Sequence, residues 1–115
     1  GKQAALVFST GMQVNLGTIS SLVGRNDVVI LDRDDHASIV DGARLGWGKV
    51  KRFQHNNVDD LERVLQGVDN KVGRLVIVDG LFSMEGDILN QNLKRRYAHS
   101  VHSPTTKSTI AHVSK

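Results

Sequence analysis

The sequence predicts an α/β fold in which a mostly parallel sheet carries helices on both faces. Residues 27–31 (DVVIL) and 74–78 (RLVIV) are continuous apolar runs, typical of strands that are covered on both sides. Between such runs, apolar residues recur at the three- and four-residue spacing of helices. Strands that alternate with helices form mostly parallel sheets with right-handed crossover connections, and this alternation decides the class.

The first part of the chain predicts a strand, a helix and a second strand. Residues 4–10 (AALVFST) form a short apolar run that Gly11 ends, and we expect the first strand there. A helix should follow, because the next stretch has apolar residues at helical spacing, namely Met12, Leu16, Ile19 and Val23. Gly24 then ends this helix ahead of the strand at residues 27–31.

The following part repeats the alternation. Ser38 is expected to cap a helix, and the alternating polarity of residues 49–53 predicts a strand after it. Asn57 is expected to cap the next helix, whose first turn holds two acidic residues that suit the helix dipole. The strand at residues 74–78 completes the order β-α-β-α-β-α-β.

Composition limits the classes of protein that remain. The 115 residues suffice for one domain with a modest core, and the absence of cysteine excludes disulfides and thiolate metal sites. No apolar stretch approaches the roughly 20 residues of a membrane span and no leader resembles a signal peptide, so we expect a cytoplasmic protein. The chain opens on Gly1 directly ahead of a strand-like run, which is the start expected for part of a larger protein.

The alternation stops after Leu89, and we place a domain boundary near Leu93. Residues 1–93 form a partial domain with ten basic and twelve acidic residues, whereas residues 94–115 form a tail with five basic residues and no acidic one. The tail has no helical or strand period, so we expect it to be poorly ordered or unrelated to the domain. The partial domain lacks a basic stripe with interleaved aromatic residues, which argues against nucleic-acid binding.

The first candidate site is the turn from the first predicted strand into the first predicted helix, at Gly11, Met12 and Gln13. Free backbone N–H groups and the positive end of the helix dipole meet at such a turn, which suits a phosphate. A glycine after a strand is also ordinary turn chemistry, so the segment taken alone leaves both interpretations open. It does not carry the GxGxxG arrangement of dinucleotide-binding proteins.

The second candidate site is His36, at the carboxyl end of the second predicted strand. Its imidazole could stack on a planar ligand, move a proton or form a structural hydrogen bond. Asp32, Asp34 and Asp35 precede it, but their spacing does not match an acidic calcium loop, and a solvated strand end explains them as well.

The third candidate site is the loop that follows the last predicted strand, with Asp79, Ser83, Glu85 and Asp87. Paired carboxylates can perform acid–base chemistry, and Ser83 could donate a hydrogen bond to a ligand oxygen. The alternative is a loop whose acids face water. The GxSxG motif is absent, so the loop is not a hydrolase nucleophile elbow.

Three blocks of the chain together resemble one enzyme family. DRDDHASIVDGARL, KVKRFQHNNVDDLERVL and RLVIVDGLFSMEGDI are similar, in order and spacing, to consecutive blocks of the α-oxoamine synthases. These pyridoxal-phosphate (PLP) enzymes include 8-amino-7-oxononanoate synthase, 2-amino-3-ketobutyrate CoA ligase, 5-aminolevulinate synthase and serine palmitoyltransferase. The resemblance implies that residues 1–93 are part of the large domain of the fold type I, aminotransferase class I/II architecture.

The resemblance also implies roles for the candidate residues. Gly11, Met12 and Gln13 match the turn that holds the PLP phosphate, and His36 matches the catalytic histidine that stacks on the pyridine ring. Asp79 matches an acidic position beside the cofactor, and Ser83 matches the serine near its phenolic oxygen. The implied biosynthetic reaction joins an amino acid to an acyl-CoA, with loss of carbon dioxide and CoA, in a homodimeric enzyme without a bound metal.

Two groups that this chemistry requires are not found in the family's context. The family places an acid two residues before an Ala-His pair, but Arg96 stands at that position before Ala98 and His99. Lys107 lacks the glycines that follow the family's Schiff-base lysine. We therefore expect this chain alone to be inactive. Two alternatives stay open: a non-catalytic module that binds PLP or another phosphate ligand, and a binder of anionic surfaces driven by the basic tail.

Overall fold

The computed structural model describes residues 3–4, 6–79, 81–82, 87–88, 92 and 109–114 of the chain. For residues 81–82, 87–88 and 109–114 it describes the backbone alone. Within these residues no helix has the length and apolar character that crossing a membrane requires.

Three helices and a four-stranded sheet make up most of the described fold. The helices are α1 (Gly11–Leu22), α2 (Ala37–Leu45) and α3 (Val58–Gln66). The strands are β1 (Val28–Asp32), β2 (Lys49–Phe53), β3 (Arg74–Asp79), β4 (Leu81–Phe82), β5 (Asp87–Ile88) and β6 (Thr109–Ser114). The main sheet has the order β2-β1-β3-β6, and β4 pairs separately with β5.

The sheet is parallel across its first three strands, which confirms the predicted fold class. β1 pairs in parallel with both β2 and β3, so the carboxyl ends of these strands meet at one edge. All five residues of β1 are buried, as the continuous apolar run predicts for a central strand. The bounds of β2 are those predicted from its alternating polarity.

The core has two halves, one on each face of the sheet. One half joins α3 to alternate strand residues and contains Val28, Ile30, Phe53, Leu61, Val64, Val68, Val76 and Val78. The other joins α1 and α2 to the opposite strand residues and contains Ile19, Val23, Val29, Leu31, Ile39, Ala43, Leu75 and Ile77. Helices therefore cover both faces, and the period-two alternation of β1 and β3 divides their side chains between the two halves.

The strand predicted at residues 4–10 is wrong for the described residues of that segment. Residues 6–10 lie outside any strand, and Leu6 and Val7 are 87% and 96% exposed. An apolar run becomes a strand only where a neighbouring strand offers it backbone partners, and the described sheet pairs β2, β1, β3 and β6 instead. Among the described residues the first helix or strand is therefore α1.

The tail also differs from expectation at residues 109–114. These residues form β6, which runs antiparallel to β3 with Thr109 opposite Asp79 and Ser114 opposite Arg74. A central, apolar β3 has backbone donors and acceptors on both sides, and β6 satisfies the side that β1 does not. Whether residues 94–115 belong to the same domain as residues 1–93 stays a prediction.

Candidate functional site at the carboxyl edge of the sheet

The amino ends of α1 and α2 lie on the same side of the fold. α1 leads into the start of β1 and α2 follows its end, so both helices run antiparallel to β1 with their first turns at the carboxyl edge of the sheet. A hydrogen bond of 2.9 Å from the Asn15 side-chain Nδ2 to Ser38 Oγ links the second turn of α1 directly to the first turn of α2. Open α/β sheets bind ligands at this edge.

The α1 amino end keeps backbone donors available. Thr10 is the N-cap, and its hydroxyl oxygen accepts a hydrogen bond from the Gln13 amide at 3.2 Å. The Gln13 side chain accepts a hydrogen bond from the Ser9 hydroxyl. The amides of Gly11 and Met12 belong to the first turn, where no helical acceptor exists. A Cβ added at Gly11 would meet nothing within 4 Å, so there is space for a ligand group beside these amides.

His36 is the N-cap of α2, and this corrects the prediction that Ser38 has that role. The His36 Nδ1 atom accepts the Ser38 amide at 3.1 Å and lies 2.8 Å from Ser38 Oγ. Ser38 is buried two positions into the helix, whereas His36 is exposed. The imidazole is therefore held through one nitrogen while part of its surface remains accessible.

Asp79 lies next to His36 at the end of the neighbouring strand. Its Oδ2 accepts a hydrogen bond from the His36 amide at 3.1 Å, although 43 positions separate the two residues. The side chain is buried, with 8% of the residue exposed. The structure therefore brings His36 and Asp79, two of the predicted site residues, together. The Asp79 carboxylate fixes the start of α2.

Sequence reasoning missed the importance of Asp35. Its two carboxyl oxygens accept the amides of Asp79 and Asp32, at 3.0 and 2.9 Å, so one side chain spans the ends of β3 and β1. Burial raises the pKa of the Asp35 carboxyl to about 8, against the lowering effect of the Asp79 amide, and the nearby Asp32 and Asp79 carboxylates add to the increase. Its partner at the end of β3, Asp79, lies 44 positions away in sequence, so no local pattern predicts this role.

Asp32 is fully buried, so the interpretation of a solvated strand end is wrong for this residue. Its carboxylate accepts the Asn56 amide at 2.8 Å and the Asp34 amide at 2.9 Å, and it contacts His55 Nδ1 at 2.9 Å. Asn56 adopts a left-handed conformation with φ of 53°, which brings its amide to the carboxylate. In the block FQHNN, His55 and Asn56 therefore join the β2–α3 loop to the end of β1.

Part of the predicted site lies outside the described residues. Ser83 and Glu85 are not described, and for Asp87 only the backbone is. Among the residues with described side chains, no group of three or more metal-ligating side chains is placed to hold an ion.

The described arrangement suits a small anionic ligand with a flat ring. Two first-turn amides and the positive end of the α1 dipole can hold an anionic group. At the amino end of the neighbouring helix α2, the exposed imidazole of His36 has a fixed orientation and offers a face for stacking. The aromatic and anionic parts of one ligand can therefore be bound at neighbouring points of a single edge.

Comparison with known proteins identifies the family of the chain. The family model for aminotransferase class I and II matches residues 1–96. The chain belongs to the aminotransferase class I and II family. It is 53% identical over 90 residues to serine palmitoyltransferase of Sphingobacterium spiritivorum, covering 78% of this chain and 23% of that protein. It is 52% identical over 87 residues to 8-amino-7-oxononanoate synthase of Alkalilimnicola ehrlichii, covering 76% of this chain and 22% of that protein.

Solved structures of the aminotransferase class I and II family show the same fold. Serine palmitoyltransferase of Sphingomonas wittichii superposes with a TM-score of 0.73 at 51% identity, covering 75% of this chain and 22% of that one. A variant of serine palmitoyltransferase from S. paucimobilis, solved with a bound PLP–myriocin adduct, has a TM-score of 0.77 at 39% identity, covering 89% and 29%. The chain spans about a quarter of the length of the curated relatives it matches.

Proposed function

We propose that this chain is the part of a PLP-dependent acyltransferase, an α-oxoamine synthase, that forms one wall of the cofactor pocket. The observation that carries the proposal is the position of His36: its exposed imidazole is fixed at the amino end of α2, beside the open amino end of α1. The similarity to serine palmitoyltransferase and to 8-amino-7-oxononanoate synthase supports the same cofactor.

The residues of the edge fit the parts of PLP. The first-turn amides of Gly11 and Met12, with Gln13 beside them, would hold the phosphate, because a helix amino end combines free donors with a positive dipole. His36 would lie against the pyridine ring and keep water from that face. Asp79 would keep His36 in place through the backbone hydrogen bond, and we propose that Ser83 lies near the phenolic oxygen.

In such an enzyme PLP would supply an electron sink for the carbanion that the amino acid forms. The protein's part is to bind, orient and exclude water, and the residues of this chain do this on one side of the pocket. His36 is held in its orientation by Ser38 and by the strand end at Asp79. Burial and a pKa near 8 keep the Asp35 carboxyl protonated at neutral pH, which limits the negative charge next to Asp79.

We propose that the whole protein condenses an amino acid with an acyl-CoA, releasing carbon dioxide and CoA, and acts as a cytoplasmic homodimer. The identities to a palmitoyltransferase and to an oxononanoate synthase are 53% and 52%, so identity does not select the acyl group or the amino acid. We also propose that the 115-residue chain alone does not catalyse the reaction, because Lys107 and Arg96 do not match the lysine and the acid that the chemistry needs.

A titration of the chain with PLP tests this proposal. His36→Ala removes the stacking surface and should weaken PLP binding by about tenfold, since an aromatic contact contributes up to about 1.5 kcal/mol. His36→Phe keeps a flat ring and should retain most of the affinity. Equal affinities for the wild-type chain and both variants would contradict the proposed pocket. Turnover of any pair of amino acid and acyl-CoA by the chain would contradict the claim that it is inactive.

A further inference from the structure

A chain of hydrogen bonds connects α1 to the nitrogen of His36 that faces the protein. The side-chain Nδ2 of Asn15 donates to Ser38 Oγ at 2.9 Å, and Ser38 Oγ lies 2.8 Å from His36 Nδ1. The Ser38 backbone amide also donates to this Nδ1, at 3.1 Å. Ser38 itself is 3% exposed, so protein groups surround the middle of this series of hydrogen bonds.

The direction of each hydrogen bond follows from the number of protons available. The Ser38 amide can only donate, so His36 Nδ1 accepts and carries no proton in this arrangement. Because the Asn15 side-chain amide occupies a lone pair of Ser38 Oγ, the hydroxyl proton can point at Nδ1, where it shares the single lone pair with the Ser38 backbone amide. The neutral imidazole then carries its proton on Nε2, and both the tautomer and the ring orientation are fixed.

Close packing of α1 on α2 makes these hydrogen bonds possible. A Cβ added at Gly42 would lie 2.9 Å from the Asn15 backbone oxygen and 3.2 Å from Ile19 Cδ1. Glycine at this position therefore lets the two helices approach until the Asn15 side chain reaches Ser38. Asn15 lies one helical turn after Gly11, so the residue that supports the imidazole shares a helix with the proposed phosphate site.

We propose that Asn15 is a positioning residue which acts through Ser38 to set the tautomer and orientation of the His36 imidazole. The inference rests on the proposed PLP pocket for its functional consequence, whereas the tautomer itself is a property of the chain without ligand. With Asn15 in place, the ring presents an unprotonated Nδ1 to the protein and an Nε2–H on its other side. Loss of the Asn15 donor leaves the Ser38 hydroxyl without the contact that directs it toward the imidazole.

Nitrogen-15 NMR of the ligand-free chain tests the tautomer directly, because protonated and unprotonated imidazole nitrogens have well-separated chemical shifts. In the wild-type chain we expect His36 to be mainly the Nε2–H tautomer. Asn15→Leu removes the donor, and Asn15→Asp replaces it with an acceptor that draws the Ser38 proton away. Each should raise the Nδ1–H fraction by about fivefold, the factor that corresponds to one hydrogen bond of about 1 kcal/mol.

Two comparisons separate positioning from a general structural role. Asn26→Asp makes the same change of charge in the exposed turn before β1 and should leave the His36 shifts unchanged. In a Ser38→Ala background, Asn15→Leu should have no further effect on the tautomer, because the hydroxyl that carries its effect to the ring has been removed. Amide dispersion in the same spectra reports folding, and the near-isosteric Asn15→Asp decides the question if Asn15→Leu does not fold.

A PLP titration of the same variants keeps the two proposals distinct. A tautomer shift in the Asn15 variants together with weaker PLP binding supports both. A tautomer shift in a chain whose wild-type form does not bind PLP supports the positioning role and overturns the proposed pocket. An unchanged His36 tautomer in folded Asn15→Leu and Asn15→Asp variants overturns the positioning role, whatever their affinity for PLP.

Discussion

The carboxylate of Asp79 accepts a hydrogen bond from the backbone amide of His36 at 3.1 Å, across 43 positions of the chain. The end of β3 therefore determines where α2 begins. Because His36 is also the N-cap of α2, the same contact places the imidazole at the carboxyl edge of the sheet. Stability of the fold and geometry of the proposed pocket are joined at this pair of residues.

Loss of the Asp79 carboxylate should destabilise the chain. Asp79→Ala leaves the His36 amide without its acceptor at a buried strand end, which we expect to lower the free energy of unfolding by about 1–3 kcal/mol. Asp79→Asn keeps an acceptor oxygen and should lose much less. Urea unfolding followed by circular dichroism measures both, and an equal loss for the two variants would contradict the assigned contact.

Stability should fall as the pH rises from about 4 to about 8. The pKa of Asp35 is raised from 3.8 to about 8 by burial, so in this window the folded chain holds a proton that the unfolded chain has released. The stabilising contribution is complete below pH 4 and is lost as the pH passes through the folded pKa, at up to about 1.4 kcal/mol per pH unit.

Asp35→Asn should remove this slope, because an amide does not titrate. Asp41→Asn changes an exposed carboxylate on α2 and should leave the slope as it is in the wild type. Unfolding free energies at pH 5 and pH 8 for the three chains give the comparison. If the difference in unfolding free energy between the wild-type chain and Asp35→Asn is the same at pH 8 as at pH 5, the buried carboxyl is not protonated as proposed.

The left-handed conformation of Asn56 should make this position sensitive to β-branched residues. Asn56→Val places a bulky side chain at φ of 53°, where Asn56→Gly meets no such strain, and we expect the two variants to differ by about 1–2 kcal/mol. Asn26→Val is the matched control, since Asn26 has no positive φ. Thermal unfolding of the four chains tests this, and similar melting temperatures for Asn56→Val and Asn56→Gly would contradict it.

A methyl group at Gly11 should reduce PLP affinity without reducing stability. The space beside Gly11 is open to 4 Å, so Gly11→Ala introduces no clash, but its methyl group enters the volume proposed for the phosphate. Gly67→Ala at the end of α3 adds a methyl in ordinary contact and serves as the control. Weaker PLP binding by Gly11→Ala alone supports the phosphate site, whereas unchanged affinity would exclude it.

The sequence predicts the regular elements best where local pattern and tertiary setting agree. Lys49–Phe53 and the Asn57 cap of α3 are both local signals, and the structure confirms them. Residues 4–10 look equally strand-like, but a strand also needs a neighbour, which local pattern does not reveal.

The site follows the same division between local and distant information. The amino end of α1 and the position of His36 follow from the order of strands and helices. The capping atom does not, because serine is the commoner cap, and the use of His36 Nδ1 in its place depends on how Asp79 orients the helix start. Asn15 and Asp35 act through partners 23 and 44 positions away, so only the folded chain identifies them.

The most direct test of the proposed pocket is a set of intermolecular NOEs between PLP and the isotope-labelled chain. The proposed pocket predicts contacts from the ring C6 proton and the methyl group of PLP to the His36 imidazole, with chemical-shift changes at the backbone amides of Gly11 and Met12. Changes confined to residues 94–115, with no contact to His36, would contradict it and would instead support binding of the anionic ligand by the basic tail.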